Sequence, residues 1–416
     1  MSTDRFGNPF APALSYARGA VLASTEDDYR KLRHAWALIR AHGAEAVFGF
    51  TGLEHGLAMT AEEIRVADDE IAPALYGDRL TALALEHFGG SAELHDVAVF
   101  NRLTGATLAT HLTLVRPGDV VVGASVSHSH PSVIRAAAQA GARFVDSAGV
   151  DAYVKALERE PKVALVVLTR LAVTYDLMPL DAIRTVVKLA HDKGAPVYVD
   201  DAGGARVAPA AFDHPRMLEL GVDLGATGLD KYGTIGPRLG LLAGEKALVS
   251  RIRAKAFECG LEARQMLYAA VVRTLEQYRP ERVQQLIAST KRVAAALRPI
   301  FGARLHETPT TAQLRADDLL EIAMQRAGVT KAPFVPYEAS AAFCMLLLEE
   351  HRMLTVHFVG MPPGTADILF KFIPPETLER FGGPEQFAKA VDAAIDRLAT
   401  FVKHPERLPD LLFGKA

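Results

Sequence analysis

Between about residue 95 and residue 230 the chain alternates short apolar runs with stretches of helical periodicity. The runs fall at residues 97–100, 120–123, 142–145, 163–168, 197–200 and 224–227. Residues 132–139 and 181–193 are two of the helical stretches between them. The second opens on Asp181 and closes at Gly194, so its capping signals agree with its period. Runs this short and continuously apolar suit strands buried on both faces, and strands alternating with helices suit a parallel sheet. A seventh run, 239–244, follows Lys231 too closely for a helical crossover and is expected to pair antiparallel. The expectation is an α/β fold: a mostly parallel seven-stranded sheet with helices on both faces.

Outside this stretch the pattern changes. Residues 26–42 read as an amphipathic helix ending at Gly43, and 80–88 as another ending at Gly89 and Gly90. A long helical region spans about 263–301 with a break near Pro280. Beyond it we expect a smaller α+β domain. Its strands are placed near 304–307 and around 342–348, 353–359 and 367–372, with a closing helix at 384–403. Residues 333–336 and 361–364 read as loops. The expected division is an N-terminal segment over 1–70, a large domain over 71–285 and a small C-terminal domain over 286–416.

Charge narrows the function classes. Lys and Arg total 46 against 49 Asp and Glu, a net −3, whereas a protein living on phosphate-backbone contacts carries a basic excess. Nucleic acid is therefore not expected as the main partner. No apolar stretch reaches the roughly 18–20 residues of a membrane helix, and the polar start of the chain lacks the form of a signal peptide. The two cysteines, Cys259 and Cys344, are far apart and suggest a reducing compartment. The expected location is cytoplasmic.

In open α/β sheets ligands bind beyond the carboxyl ends of the strands, so the residues that follow each run matter most. After 97–100 come Asn101, Arg102, Leu103, Thr104, Gly105, Ala106 and Thr107 at a helix start, where free N–H groups and the positive dipole end can cradle a phosphate. After 120–123 come Ser127, His128, Ser129 and His130, where an imidazole could stack on a planar cofactor, two His could share a metal, or the loop could simply be polar. Asp200 ends the run 197–200 and could hold a cationic ring nitrogen, while Asp201 reads as structural or solvated. After 224–227 comes Lys231 in a glycine-flanked loop, where burial and nearby cations lower an amine's pKa and favour Schiff-base chemistry. Together these are the parts of a pyridoxal 5′-phosphate (PLP) site.

The arrangement resembles the fold type I, aspartate aminotransferase-like PLP enzymes. It looks closest to the selenocysteine synthase-like branch, which also holds D-glucosaminate-6-phosphate ammonia-lyase-like proteins. The resemblance is best over about 48–260. Its most specific stretch is Asp230-Lys231 followed by Gly236-Pro237-Arg238-Leu239-Gly240 through Gly244. Thr51-Gly52-Leu53-Glu54 is similar to the N-terminal segment that such enzymes fold towards the active site.

The resemblance implies that Lys231 is the Schiff-base lysine and proton shuttle, that Asp200 pairs with the pyridine nitrogen, and that His130 stacks on the ring, with His128 as the alternative. It implies phosphate contacts from Thr104, Gly105, Ala106 and Thr107 with help from Thr227, and a contact of Thr174 with the cofactor's phenolic oxygen. Lys371, Arg352 and Arg206 are candidates for gripping a substrate carboxylate. The expected activity is that of a PLP-dependent lyase, eliminating or replacing a β or γ substituent of a small amino acid. An aminotransferase, aldolase, racemase or selenocysteine synthase-like transferase stands as the alternative. Outside PLP chemistry the rivals are a metal-dependent hydrolase built on His128 and His130, and a binding protein on the same fold. The resemblance also implies a homodimer or higher homo-oligomer.

Overall fold

The computed structural model describes residues 2–57, 59–356 and 361–415. The chain divides into two compact units: Leu53–Gln284, and Met1–Gly52 together with Gln285–Ala416.

The first unit is built on a seven-stranded sheet. Its strands are β1 (His95–Phe100), β2 (Val120–Ser125), β3 (Arg143–Ala148), β4 (Leu165–Thr169), β5 (Val197–Asp200), β6 (Leu224–Gly228) and β7 (Gly240–Glu245). Their order across the sheet is β1-β7-β6-β5-β4-β2-β3. β7 is antiparallel to both of its neighbours, and every other pairing is parallel. Strands β1 and β6 therefore run the same way, and the carboxyl ends of all strands but β7 open on one edge. Every residue of β4, β5 and β6 is buried, which is why these strands read as unbroken apolar runs rather than as alternation.

Local signals place the helices. Leu180–Asp192 ends at Gly194, whose positive φ of 70° a side chain would resist. Its start differs from expectation, because Pro179 occupies the cap and Asp181 sits in the first turn. The Asp181 carboxylate thus meets the dipole without capping a free amide.

The second unit carries a three-stranded antiparallel sheet: β8 (Leu305–Glu307), β9 (Thr311–Leu314) and β10 (Ile368–Lys371), with β9 at the centre. The sequence hides β9, since its buried Thr311 and Gln313 break the apolar pattern. Two expectations are corrected here. Residues 342–348 form no strand but lie inside the helix Pro336–His351, and the loop expected at 333–336 ends on Pro336, the first residue of that helix. Residues 336–348 are all buried, so the helix shows no polar face and its run imitates a buried strand. Of the strand expected at 353–359, Met353–Leu354 pairs in parallel with Phe48–Gly49; residues 357–360 lie outside the described residues. No helix among the described residues is long and apolar enough to cross a membrane.

Candidate active site

The helix Leu103–Leu114 opens directly after β1. Its cap, Arg102, has extended backbone, and the Arg102 carbonyl accepts from the amides of Gly105 and Ala106 at 2.9 and 3.2 Å. The amides of Leu103 and Thr104 precede any carbonyl of the helix and are directed out of its start. Gly105 lets this turn sit tight: a Cβ there would come within 2.9 Å of Asn101 Oδ1 and 3.3 Å of the Leu261 carbonyl. Ala106 is buried and Thr104 is exposed. Thr107 has a different task, because its buried hydroxyl lies 3.2 Å from the Leu103 carbonyl and 2.9 Å from the Tyr198 hydroxyl. It ties the helix to β5.

Beyond β2, Asp146 accepts from the Ser129 amide at 3.1 Å and from its hydroxyl at 2.7 Å, which fixes the loop that carries His128 and His130. His130 caps the helix Pro131–Gln139. Its Nδ1 accepts the Ser132 amide at 3.1 Å and lies 2.7 Å from the Ser132 hydroxyl, so the ring proton belongs on Nε2. Burial first, then Lys231, Arg135 and His128, push His130 down to about 3, so the imidazole is neutral. Thr174 donates to Ser127 Oγ at 3.3 Å from a tight reversal in which Tyr175 takes φ 62°. Among the described residues no three His, Cys, Asp or Glu side chains converge as a metal site would require.

At the end of β5 two consecutive carboxylates are buried in different ways. Asp201 is held by Arg170, both side chains fully enclosed, and Arg170 also donates to the Pro215 carbonyl at 2.8 Å. Asp200 is 5 % exposed and takes no hydrogen bond from any described residue. Burial and then the Asp201 charge raise it to about 6, against the pull of Lys231. A buried carboxylate with no donor fits a cationic partner that arrives with a ligand. The buried Thr227 hydroxyl donates to the Ala202 carbonyl at 3.2 Å.

The half-buried Lys231 follows β6. Burial lowers its pKa most; Asp230 and Asp200 oppose this, and Arg238 and Arg206 add to it. Burial alone would raise Asp230, but Lys231, His55 and Arg238 outweigh it and hold the carboxylate at about 2. His55 Nε2 lies 3.2 Å from Asp230 Oδ2. The segment that carries His55 is laced to the lysine loop, with the Gly56 amide on the Gly236 carbonyl at 3.0 Å and the Gly236 amide on the Glu54 carbonyl at 3.1 Å. Sequence reading missed His55 and Arg170, since neither lies in a motif; only the fold brings them to the carboxylates.

The three carboxylate-grip candidates differ in setting. Arg206 is wholly buried, with Nη1 on the carbonyls of Gly228 and Lys231. Lys371 is 4 % exposed on β10 in the second unit, and Arg352 is an exposed C-cap with φ 59°.

Comparison with known proteins is consistent with this chemistry. No family model matches the chain. A "UPF0425 pyridoxal phosphate-dependent protein" of Methanothermobacter thermautotrophicus is 31% identical over 403 residues, which cover 95% of this chain and 100% of that protein. An L-seryl-tRNA(Sec) selenium transferase of Serratia proteamaculans is 25% identical over 200 residues, 42% of each chain. Among solved structures, an alanine–glyoxylate aminotransferase from Nostoc sp. superposes with a TM-score of 0.55 at 16% identity, covering 85% of this chain and 95% of that one.

Proposed function

The chain belongs to the UPF0425 family of pyridoxal phosphate-dependent proteins, and on that premise we propose that it is an enzyme that carries PLP on Lys231 and acts at Cα of a small amino acid as a lyase. When bound, PLP supplies an electron sink for a bond broken at Cα. The observation that carries the reading is Asp200, a buried carboxylate with no donor among the described residues, on the same sheet edge as a half-buried lysine whose pKa is lowered.

The roles of the chain's own residues follow from their chemistry. The Leu103 and Thr104 amides would bind the phosphate at the helix start. Asp200 would hold the ring nitrogen's proton, and the neutral His130 would lie against the ring. Lys231, with a lowered pKa, would take the proton from Cα when its amine is displaced and return it later. The lyase outcome, with loss or replacement of a β or γ substituent, is supported by the resemblance to the ammonia-lyase-like proteins. By the same resemblance we infer a homo-oligomer of at least two chains.

The test is reduction of the purified holoprotein with borohydride, followed by peptide mapping and a screen of amino acids that bear a β or γ leaving group. Cofactor fixed on Lys231, with ammonia and a keto acid released without an added amino acceptor, is the expected result. Turnover that requires a second keto acid would replace the lyase with an aminotransferase, and cofactor fixed elsewhere would remove Lys231 from the mechanism.

A further inference from the structure

Lys231 sits in a loop whose carbonyls are held from within the protein. Arg206, on the helix Gly204–Phe212, is fully enclosed. Its Nη1 donates to the Gly228 carbonyl at 2.8 Å and to the Lys231 carbonyl at 2.9 Å. Thr234 Oγ1 lies 2.9 Å from the Leu229 carbonyl and 3.0 Å from that of Lys231, and shares one proton between them. The Lys231 carbonyl thus accepts from two buried donors.

For stability alone the guanidinium is a poor choice. Its Nε and Nη2 find no partner among the described residues, and the Tyr278 ring lies 5.9 Å from Cζ. Burying unmet donors and a charge costs more than an apolar side chain of the same volume would. What an apolar side chain could not supply is a clamp on both ends of the Gly228–Lys231 stretch and a positive charge behind it. Tightness at this stretch is visible at Gly228, where a Cβ would come within 2.7 Å of Asp230 Oδ1 and 3.1 Å of Lys231 Cε.

We propose that Arg206 is a positioning residue for Lys231: one guanidinium nitrogen staples the carbonyls of Gly228 and Lys231, so that the lysine's backbone is fixed while its amine binds and releases the cofactor. The inference rests on Lys231 as the cofactor lysine. Arg206 also joins the charges that face the amine. Arg238 and Arg206 favour loss of its proton, Asp230 and Asp200 favour keeping it, and His130 feels the same lysine. Arg206 itself faces Tyr278, Asp230 and His87.

The experiment compares wild type, Arg206→Lys, Arg206→Met and Thr234→Val. Each is stripped of cofactor and remixed with PLP. The rate at which the visible band of the lysine-bound cofactor forms is measured, and then the pH midpoint of that band. Removal of the staple should slow capture about tenfold in Arg206→Met, the order expected when a reacting group loses its fixed direction. Its midpoint should move upward, because a cation facing the amine is gone. Arg206→Lys should return the midpoint towards wild type while capture stays slow. Thr234→Val, nearly isosteric and uncharged, should slow capture with the midpoint unmoved. Wild-type capture and midpoint in a folded Arg206→Met overturn the proposal. If Arg206→Met does not fold, wild-type capture by Thr234→Val overturns it. Reductive trapping on a lysine other than Lys231 in the wild type would instead overturn the Lys231 assignment, and this inference with it.

Discussion

Arg170 grips both oxygens of Asp201, Nε on Oδ1 at 3.0 Å and Nη2 on Oδ2 at 2.5 Å, and neither side chain is exposed. The pair matters for its neighbour. Asp201 is next to Asp200 in the chain, and its negative charge helps to raise Asp200. Burial pushes the Asp201 carboxyl up and Arg170 opposes it, so Asp201 has its partner within the protein while Asp200 has no donor among the described residues.

Loss of the guanidinium would leave two buried carboxylates side by side with one cation fewer. We expect Arg170→Met to destabilise the protein by about 3–5 kcal/mol, the cost of breaking a buried pair from one side. The double variant Arg170→Met/Asp201→Asn should recover most of that loss. Urea denaturation of the three proteins measures both. Equal stability of the single and double variants would show that Asp201 is not the group Arg170 compensates.

Asp200 gives a pH dependence with a definite sign in the cofactor-free protein. Its pKa in the folded chain is raised to about 6 from a reference of 3.8. The folded state therefore holds the proton more tightly than the unfolded chain. The resulting stability is fully present below the reference value and is lost as pH rises through about 6. The shift corresponds to about 3 kcal/mol at most. Asp200→Asn should remove this dependence, so the cofactor-free variant should melt above wild type at pH 7 and close to it near pH 4. Parallel melting curves of the two proteins over that range would contradict the assignment. In the holoprotein the order should reverse, because the variant loses its ionic hold on the ring nitrogen.

The start of the helix Leu103–Leu114 separates binding from packing. Gly105→Ala places a methyl 2.9 Å from Asn101 Oδ1, which the exposed Asn101 side chain can relieve by turning, and 3.3 Å from the Leu261 carbonyl, which shifts the start of the helix and its Leu103 and Thr104 amides unless that carbonyl gives way. We expect about a tenfold weaker affinity for PLP, near the worth of one hydrogen bond to a charged group (about 1.5 kcal/mol). Thr107→Val should behave in the opposite way. It strands the buried Tyr198 hydroxyl and lowers stability by about 1–3 kcal/mol, with PLP affinity unchanged. Titration of both cofactor-free variants with PLP, alongside their denaturation, distinguishes the two roles.

The sheet was legible because parallel strands covered on both faces keep a continuous apolar signature, and strand ends could be read as site positions on topology alone. The helix Pro336–His351 was not, since burial on every side erases the period that distinguishes helix from strand. The partners of the strand-end residues were equally hidden. Arg170 reaches Asp201 through register: Thr169 pairs with Asp200, so the residues that follow each strand emerge side by side. Arg206 lies in a helix start that reads as ordinary, and its task is set by carbonyls that no sequence pattern displays. The resemblance implies a phosphate contact from Thr107; at the second turn its hydroxyl lies beside the Leu103 carbonyl and against β5, contacts that no sequence pattern displays.

Asp230 provides the opposite case to Arg206. It is 3 % exposed, lies 3.2 Å from His55 and 3.7 Å from Arg238, and is held at about 2, so it is negative near neutral pH. Its charge raises the pKa of Lys231 against the dominant effect of burial. Asp230→Asn keeps the shape and removes the charge, so the lysine should shed its proton more readily. The visible band of the lysine-bound cofactor should then titrate at lower pH than in wild type, the reverse of the direction expected for Arg206→Met. His55→Gln, which removes only the partner 3.2 Å away, should move the midpoint far less, since Asp230 keeps its charge. A midpoint that rises in Asp230→Asn would mean that the carboxylate acts through the loop's geometry and not through its field. Absorbance titrations of the three variants at one ionic strength decide between the two, and repeating them at high salt should change little, because a buried pair of charges is weakly screened.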